Sequence, residues 1–161
     1  MNSPEPAVAF RDLLAYTDYL AQRWLEYFKQ HPAALDIEIG GTTGTIRYLV
    51  GHIFRAERYF ADRLSETEPP PSQKLEEPAL EELQRLHQEG HQGLARYLAT
   101  TREDALRGTK AFGPVTVSNR KILTQAVLHS VHHWAQVAIE VRQARFPTEK
   151  PQDIIISPVM E

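Results

Sequence analysis

The chain has 161 residues, 18 basic and 21 acidic side chains, a formal net charge of -3 and no cysteine. A chain of this length buries a sizeable core without a metal or disulfide to staple it, and the absence of cysteine excludes disulfides, cysteine nucleophiles and thiolate ligands. No block of like charge resembles a nucleic-acid arm, no apolar run approaches the roughly 20 residues of a membrane span, and the opening MNSPEPAVAF lacks a signal-peptide layout. The expectation is one soluble, cytoplasmic domain over residues 1–161, with no membrane or nucleic-acid partner.

From about Glu5 to Gln30, Phe10, Leu13, Leu14, Thr17, Leu20, Ala21, Trp24, Leu25 and Phe28 recur at three-and-four spacing, one stripe of an amphipathic helix. His31-Pro32 ends it, because a residue before proline is pushed out of the helical region. The glycine-rich IGGTTGT lacks the lysine and setting of a phosphate loop and reads as a connection. A second stripe follows, Ile46, Leu49, Val50, Ile53, Ala56, Phe60 and Leu64, with Thr43 or Thr45 as N-cap.

SETEPPPSQKLEEP is a loop by composition, and Pro78 suits the first turn of a third helix carrying Leu80, Leu83, Leu86, Leu94, Tyr97 and Leu98. Gly90 and Gly93 weaken that helix and predict a bend. RGTKAFGPVTVSNR is a long connection with a short β-like piece, VTV, ending at Ser118 or Asn119 as cap. The fourth stripe runs Ile122, Leu123, Ala126, Val127, Ser130, Val137, Ala138 and Val141, and the apolar DIII of the proline-interrupted tail is expected to pack on the bundle or on a second subunit. Four amphipathic helices with no competing strand pattern predict an all-α four-helix bundle, with a long connection before the last helix and a non-helical C-terminal tail.

At 100° per residue the histidines of the fourth helix separate. His129 and His133 share one edge of the apolar stripe, continued by Gln136 and Glu140, while His132 points nearly opposite. An i,i+4 pair presents two imidazoles from neighbouring points of one face. His52 lies at the margin of the second stripe, so two helices can bring three imidazoles together at the rim of the bundle. His87 and His91 repeat the same spacing on the third helix, where a surface or packing role is expected. Glu57 falls inside the second stripe, and a buried carboxylate is costly unless paired; the candidates are a histidine nitrogen, as outer support for a metal ligand, or an arginine such as Arg23. Trp24 and Trp134 read as core or rim aromatics. No HExxH, Glu-x-x-His, GxGxxG, Walker or GxSxG pattern occurs.

TIRYLVGHIFRAERYFADRL resembles the second-helix signature of the DinB/YfiT-like superfamily, and LHSVHHWAQVAIEVRQARFPTEKPQDIII resembles its fourth-helix signature; DLLAYTDYLAQRWLEYF is compatible with the first helix. The resemblance implies a bundle holding a divalent ion, often nickel or zinc, on three residues, here His52, His129 and His133, with His132 not a ligand. It also implies a homodimer. Trp134-Ala135 replaces the usual Arg-Gly and is expected to alter the surroundings of the site. Ala144-Arg145 displaces the expected glycine.

Similar proteins include thiol-dependent S-transferases and a mycothiol-dependent maleylpyruvate isomerase, so the most concrete implied activity is transfer of a metal-activated low-molecular-weight thiol to a small electrophilic substrate. The thiol has to be a cofactor, since the chain has no cysteine. Gln136 or Glu140 are candidates to orient a ligand. The alternative is a non-catalytic metal-binding or stress-related helical module that docks a partner or itself.

Overall fold

The computed structural model describes residues 9–40, 44–67, 78–147 and 152–160. Helix α1 spans Phe10–Gln30, α2 Ile46–Ser65, α3 Leu80–Thr100 and α4 Asn119–Gln143. The expected start of α1 at Glu5 and the alternative cap Thr43 lie outside the described residues, as does most of the SETEPPPSQKLEEP loop. Local chemistry sets the ends. Asp12 accepts from the N–H of Ala9 at 3.1 Å, and His31, ahead of Pro32, closes α1 by donating its N–H to the carbonyl of Tyr27. The hydroxyl oxygen of Thr45 accepts from the N–H of Tyr48 at 3.2 Å, and that of Ser118 from Lys121 at 3.2 Å, so each cap satisfies one orphan donor of its helix. Pro78 and Ala79 precede α3 rather than opening it, with Ala79 as its cap residue.

Contacts between helices fix the topology. Arg47 on α2 donates to the carbonyl of Pro78 at 3.1 Å, Arg58 meets Glu89 at 2.5 Å, and Ala61 faces Gly93, so α2 and α3 run parallel. Glu57 faces Ser130 while His52, a turn and a half earlier, reaches His133, which makes α4 antiparallel to α2. The order is therefore up-down-down-up. A parallel pair needs a crossover, and residues 66–79 supply it: fully extended they reach about 46 Å, against the roughly 30 Å length of α2.

Two apolar clusters fill the bundle. In one, Trp24 of α1 stacks on Trp134 of α4 with ring centroids 6.0 Å apart and planes 8° from parallel. Phe28 stacks on Trp24 at 5.5 Å, and the ring of Phe54 on α2 meets Trp134 edge-on at 5.7 Å. Each such pair contributes about 0.5–1.5 kcal/mol beyond area burial. The second cluster joins Leu14, Phe60, Leu64, Leu94, Ile122, Leu123 and Ala126.

The connections hold more order than the sequence predicts. β1 (Glu38–Ile39) pairs with β2 (Gly44–Thr45), and VTV lies in β4 (Val115–Ser118), which pairs antiparallel with β3 (Thr109–Phe112). The turn between them uses Gly113 at φ 59°, in the left-handed region. The tail is held by the Tyr16 hydroxyl donating to the carbonyl of Gln152 and by buried Ser157, and it forms a short 3-10 turn at Ile154–Ile156. Of the two expected partners, the bundle does not receive those isoleucines: all three are exposed, Ile155 by 87%.

Gly90 and Gly93 do not interrupt α3, which is continuous from Leu80 to Thr100. They are where α3 touches α2. A Cβ at Gly93 would lie 2.7 Å from that of Ala61, and one at Gly90 2.9 Å from the backbone nitrogen of Arg58. Gly93→Ala is therefore expected to lower stability by roughly 1–3 kcal/mol through overpacking, although the same change in an open helix raises it by about 1 kcal/mol. A thermal melt with an unchanged or higher midpoint would refute this close approach.

Candidate metal centre

His52 projects from the second turn of α2, and His129 and His133 project one turn apart from α4. The Nε2 atoms of His52 and His129 stand 3.0 Å apart. Ring centroids are separated by 4.9 Å for His52–His129, 5.1 Å for His52–His133 and 4.5 Å for His129–His133. One ring nitrogen from each of the three lies within 4.8 Å of the others, and this is the group among the described residues that could hold a metal ion. Two nitrogens bound at about 2.0–2.1 Å to one ion stand about 2.8–3.4 Å apart at angles of about 90–109°. The His52–His129 spacing falls in that interval, and the donor set of three imidazoles suits nickel or zinc.

The surroundings favour neutral rings. Burial, then the neighbouring His133, His52 and His132 rings, push the pKa of His129 down to about 4. His52 is lowered by burial, then by His133 and Arg55. The other nitrogen of His133, Nδ1, lies 3.2 Å from Oε1 of Gln136. That side chain accepts the Nδ1–H, which leaves Nε2 of His133 as the free lone pair. Phe60 closes one side of the group, its ring edge-on to His129 at 6.0 Å, and Phe112 of the β3–β4 hairpin stacks on Phe60 at 6.1 Å.

The expected histidines thus converge, and His132 is exposed beside the group, its ring 5.2 Å from that of His133. Trp134 does not line the group. It is fully buried against Trp24 and Phe54, and the residue beside it in sequence, Ala135, is exposed.

Glu57 is 3% exposed. Its Oε1 accepts from the hydroxyl of Ser130 at 2.7 Å, and its Oε2 faces Nδ1 of His87 at 3.5 Å. The histidine it supports is therefore a buried one on α3, not a member of the three, and Arg23 instead donates to the Tyr19 hydroxyl. His87, 2% exposed, lies on its other side 2.9 Å from Oδ1 of Asp18. Burial alone would lower its pKa, but the flanking carboxylates of Asp18 and Glu57 outweigh that and raise it to about 9. The bond to His87 in turn lowers the pKa of Asp18.

The packing role expected for the His87/His91 pair holds for His87, but its charge was not anticipated. Angular position carried a usable signal: His87 sits one turn beyond Leu83 and two turns before Leu94, squarely on the α3 stripe. Ser130 likewise falls within the α4 stripe, where a hydroxyl has to find a buried acceptor.

The helix order, the crossover and the three converging histidines define a class, a helical bundle with an imidazole cluster between its second and fourth helices. The chain belongs to the DinB family, whose model matches residues 9–146. Among solved structures it is similar to a DinB-like protein, YjoA, from Bacillus subtilis: the match covers 89% of this chain and 94% of that one, at 19% identity and a TM-score of 0.60, which speaks to the fold. No curated protein matches the chain.

The charged His87 gives the fold a pH signature. Its pKa of about 9 in the folded chain exceeds the ordinary value of 6.5, so its contribution is complete below about pH 6.5 and is lost as pH rises through about 9. Urea midpoints should fall across that window. His87→Gln, which carries no titrating ring, should flatten the fall, and parallel curves for the two proteins would refute the assignment.

Proposed function

We propose that His52, His129 and His133 hold one divalent ion, nickel or zinc, and that the protein is a metal-dependent enzyme transferring a low-molecular-weight thiol to a small electrophilic substrate. The observation that carries this reading is the convergence of three imidazoles from two helices, with the His52 and His129 Nε2 atoms 3.0 Å apart. Membership of the DinB family supports it. A bound ion of this kind supplies a Lewis acid that lowers the pKa of a coordinated water or thiol. Three protein ligands leave positions open for such a molecule, as catalytic sites do.

The chain's own residues have separate tasks. Gln136 fixes the tautomer and plane of His133. Phe60, backed by the hairpin residue Phe112, gives the group an apolar side next to His129. The thiol comes from outside, because no cysteine is present. The described helices include none long and apolar enough to cross a membrane. A homodimer is part of the same proposal, supported by the exposed Leu128 and Ile139 on α4 and by Ile155 in the tail.

Protein purified without an affinity tag should carry close to one equivalent of nickel or zinc by elemental analysis, and the His129→Ala, His133→Ala double variant should carry almost none. Equal metal content in the two would overturn the site. In cobalt-loaded protein, added thiols should produce a sulfur-to-metal charge-transfer band. A spectrum unmoved by any thiol would favour metal binding without thiol transfer. Truncation after Lys150 should lower the mass measured by light scattering, and an unchanged mass would remove the tail from the dimer contact.

A further inference from the structure

Four buried or half-buried polar side chains, one from each helix, form a line across the bundle, two hydrogen bonds joined by one ion pair. Asp18 on α1 meets His87 on α3 at 2.9 Å, His87 meets Glu57 on α2 at 3.5 Å, and Glu57 accepts from Ser130 on α4 at 2.7 Å. Three of the four are nearly inaccessible, at 2% for His87, 3% for Glu57 and 1% for Ser130. The last link has a particular place. Ser130 is the residue after His129 and lies within one turn of His133, while Glu57 is a turn and a half beyond His52. The Glu57–Ser130 bond therefore ties together the two helices that carry the three imidazoles, at the level of the cluster and on the core side of it.

We propose that Glu57 and Ser130 are positioning residues for the His52–His129–His133 cluster, and that the Asp18–His87 pair holds Glu57 in place to do so. This rests on the metal-site reading above for its consequence, but not for its geometry. A helix bearing ligands on one edge can slide or roll on its neighbour by fractions of an ångström at little cost where the contact is purely apolar, because dispersion is not directional. A hydrogen bond from a buried hydroxyl to a buried carboxylate is directional, and leaving that carboxylate oxygen without its donor carries a desolvation cost.

Glu57 cannot turn away from Ser130, because its other oxygen faces His87, and His87 is held in turn by Asp18. Gly90 adds to the constraint: a Cβ there would lie 3.0 Å from the Cβ of Glu57, so α3 presses directly on the stem of the carboxylate. The line thus fixes the rotation of α4 relative to α2. That rotation sets how far the His129 and His133 rings stand from His52.

The test compares Ser130→Ala, Ser130→Thr and, as a control that removes apolar packing from the cavity beside Glu57 without removing a polar member of the line, Leu98→Ala, all at a temperature where each is folded. In metal-free protein, the ring NMR signals of His52, His129 and His133 should shift in Ser130→Ala and stay near their wild-type positions in Ser130→Thr and Leu98→Ala. Metal affinity from a competition titration with a chelator should fall about 10–100-fold in Ser130→Ala, the range seen when outer support of a ligand is lost. It should be largely restored by threonine, and the cobalt d–d absorption should move with it.

Ring signals and affinity in Ser130→Ala that match those of Leu98→Ala would overturn the positioning role. If the wild-type protein binds no metal at all, the metal-site reading fails instead, and the ring signals of the metal-free proteins still decide whether Ser130 positions the cluster. Should Ser130→Ala not fold, Glu57→Gln, which keeps an oxygen acceptor for the hydroxyl while removing the charge that faces His87, tests the other half of the proposal: the three ring signals should shift in it, and signals matching those of Leu98→Ala would overturn the role of His87 in holding Glu57.

Discussion

A carboxylate buried at the centre of a four-helix bundle is the constraint around which this protein is arranged. Desolvating Glu57 is unfavourable by several kcal/mol unless its charge is met. It is met by a protonated His87 and by the hydroxyl of Ser130, and His87 is itself balanced by Asp18. Each partner comes from a different helix. An apolar core accepts many registers of one helix on the next, whereas this line accepts one, since any slip leaves a buried charge without its counterpart. The two glycines that let α3 lie against α2 serve the same end, because a more distant α3 would take His87 away from Glu57.

The same residue type is driven in opposite directions at two places in the fold. His87, between two carboxylates, is held as a cation with its pKa raised to about 9. His129, between two other imidazoles and with no acid beside it, is held neutral with its pKa lowered to about 4. Burial opposes the charge in both cases, and the sign of the neighbours decides the outcome. The bundle therefore separates a structural histidine, which stores charge in the core, from a cluster at the rim whose lone pairs are available.

Spacing along single helices made much of this legible. The four stripes, the Thr45 and Ser118 caps and the stop at His31-Pro32 follow from local rules that depend on a few adjacent residues. The shared edge of His129 and His133 follows from 100° per residue alone. Spacing alone leaves open which helix lies beside which; the meeting of His52 with His129 and His133 is one option it allows, and the family resemblance singles it out. His87 and His91 have the same spacing as His129 and His133, and nothing in the spacing says that one pair meets a third imidazole while His87 meets two carboxylates. Gly90 and Gly93 read as weak points of a helix because their value lies in the surface of α2 opposite them. Hydropathy leaves the isoleucines of the tail with two partners, the bundle or a second subunit, because it does not report which surface receives them.

By itself, then, the sequence determined the four helices, the stop of the first at His31-Pro32, the absence of thiol chemistry within the chain and the face on which the rim histidines stand. These are properties of periodicity, capping and composition, which act over one or two turns. The tertiary structure alone decided the up-down-down-up order, the pairing of Glu57 with His87 and Ser130, and the 3.0 Å approach of His52 to His129. Those depend on contacts between residues 30 to 77 positions apart, where directional contacts and close packing, rather than local propensity, select one arrangement from the many that amphipathic helices allow.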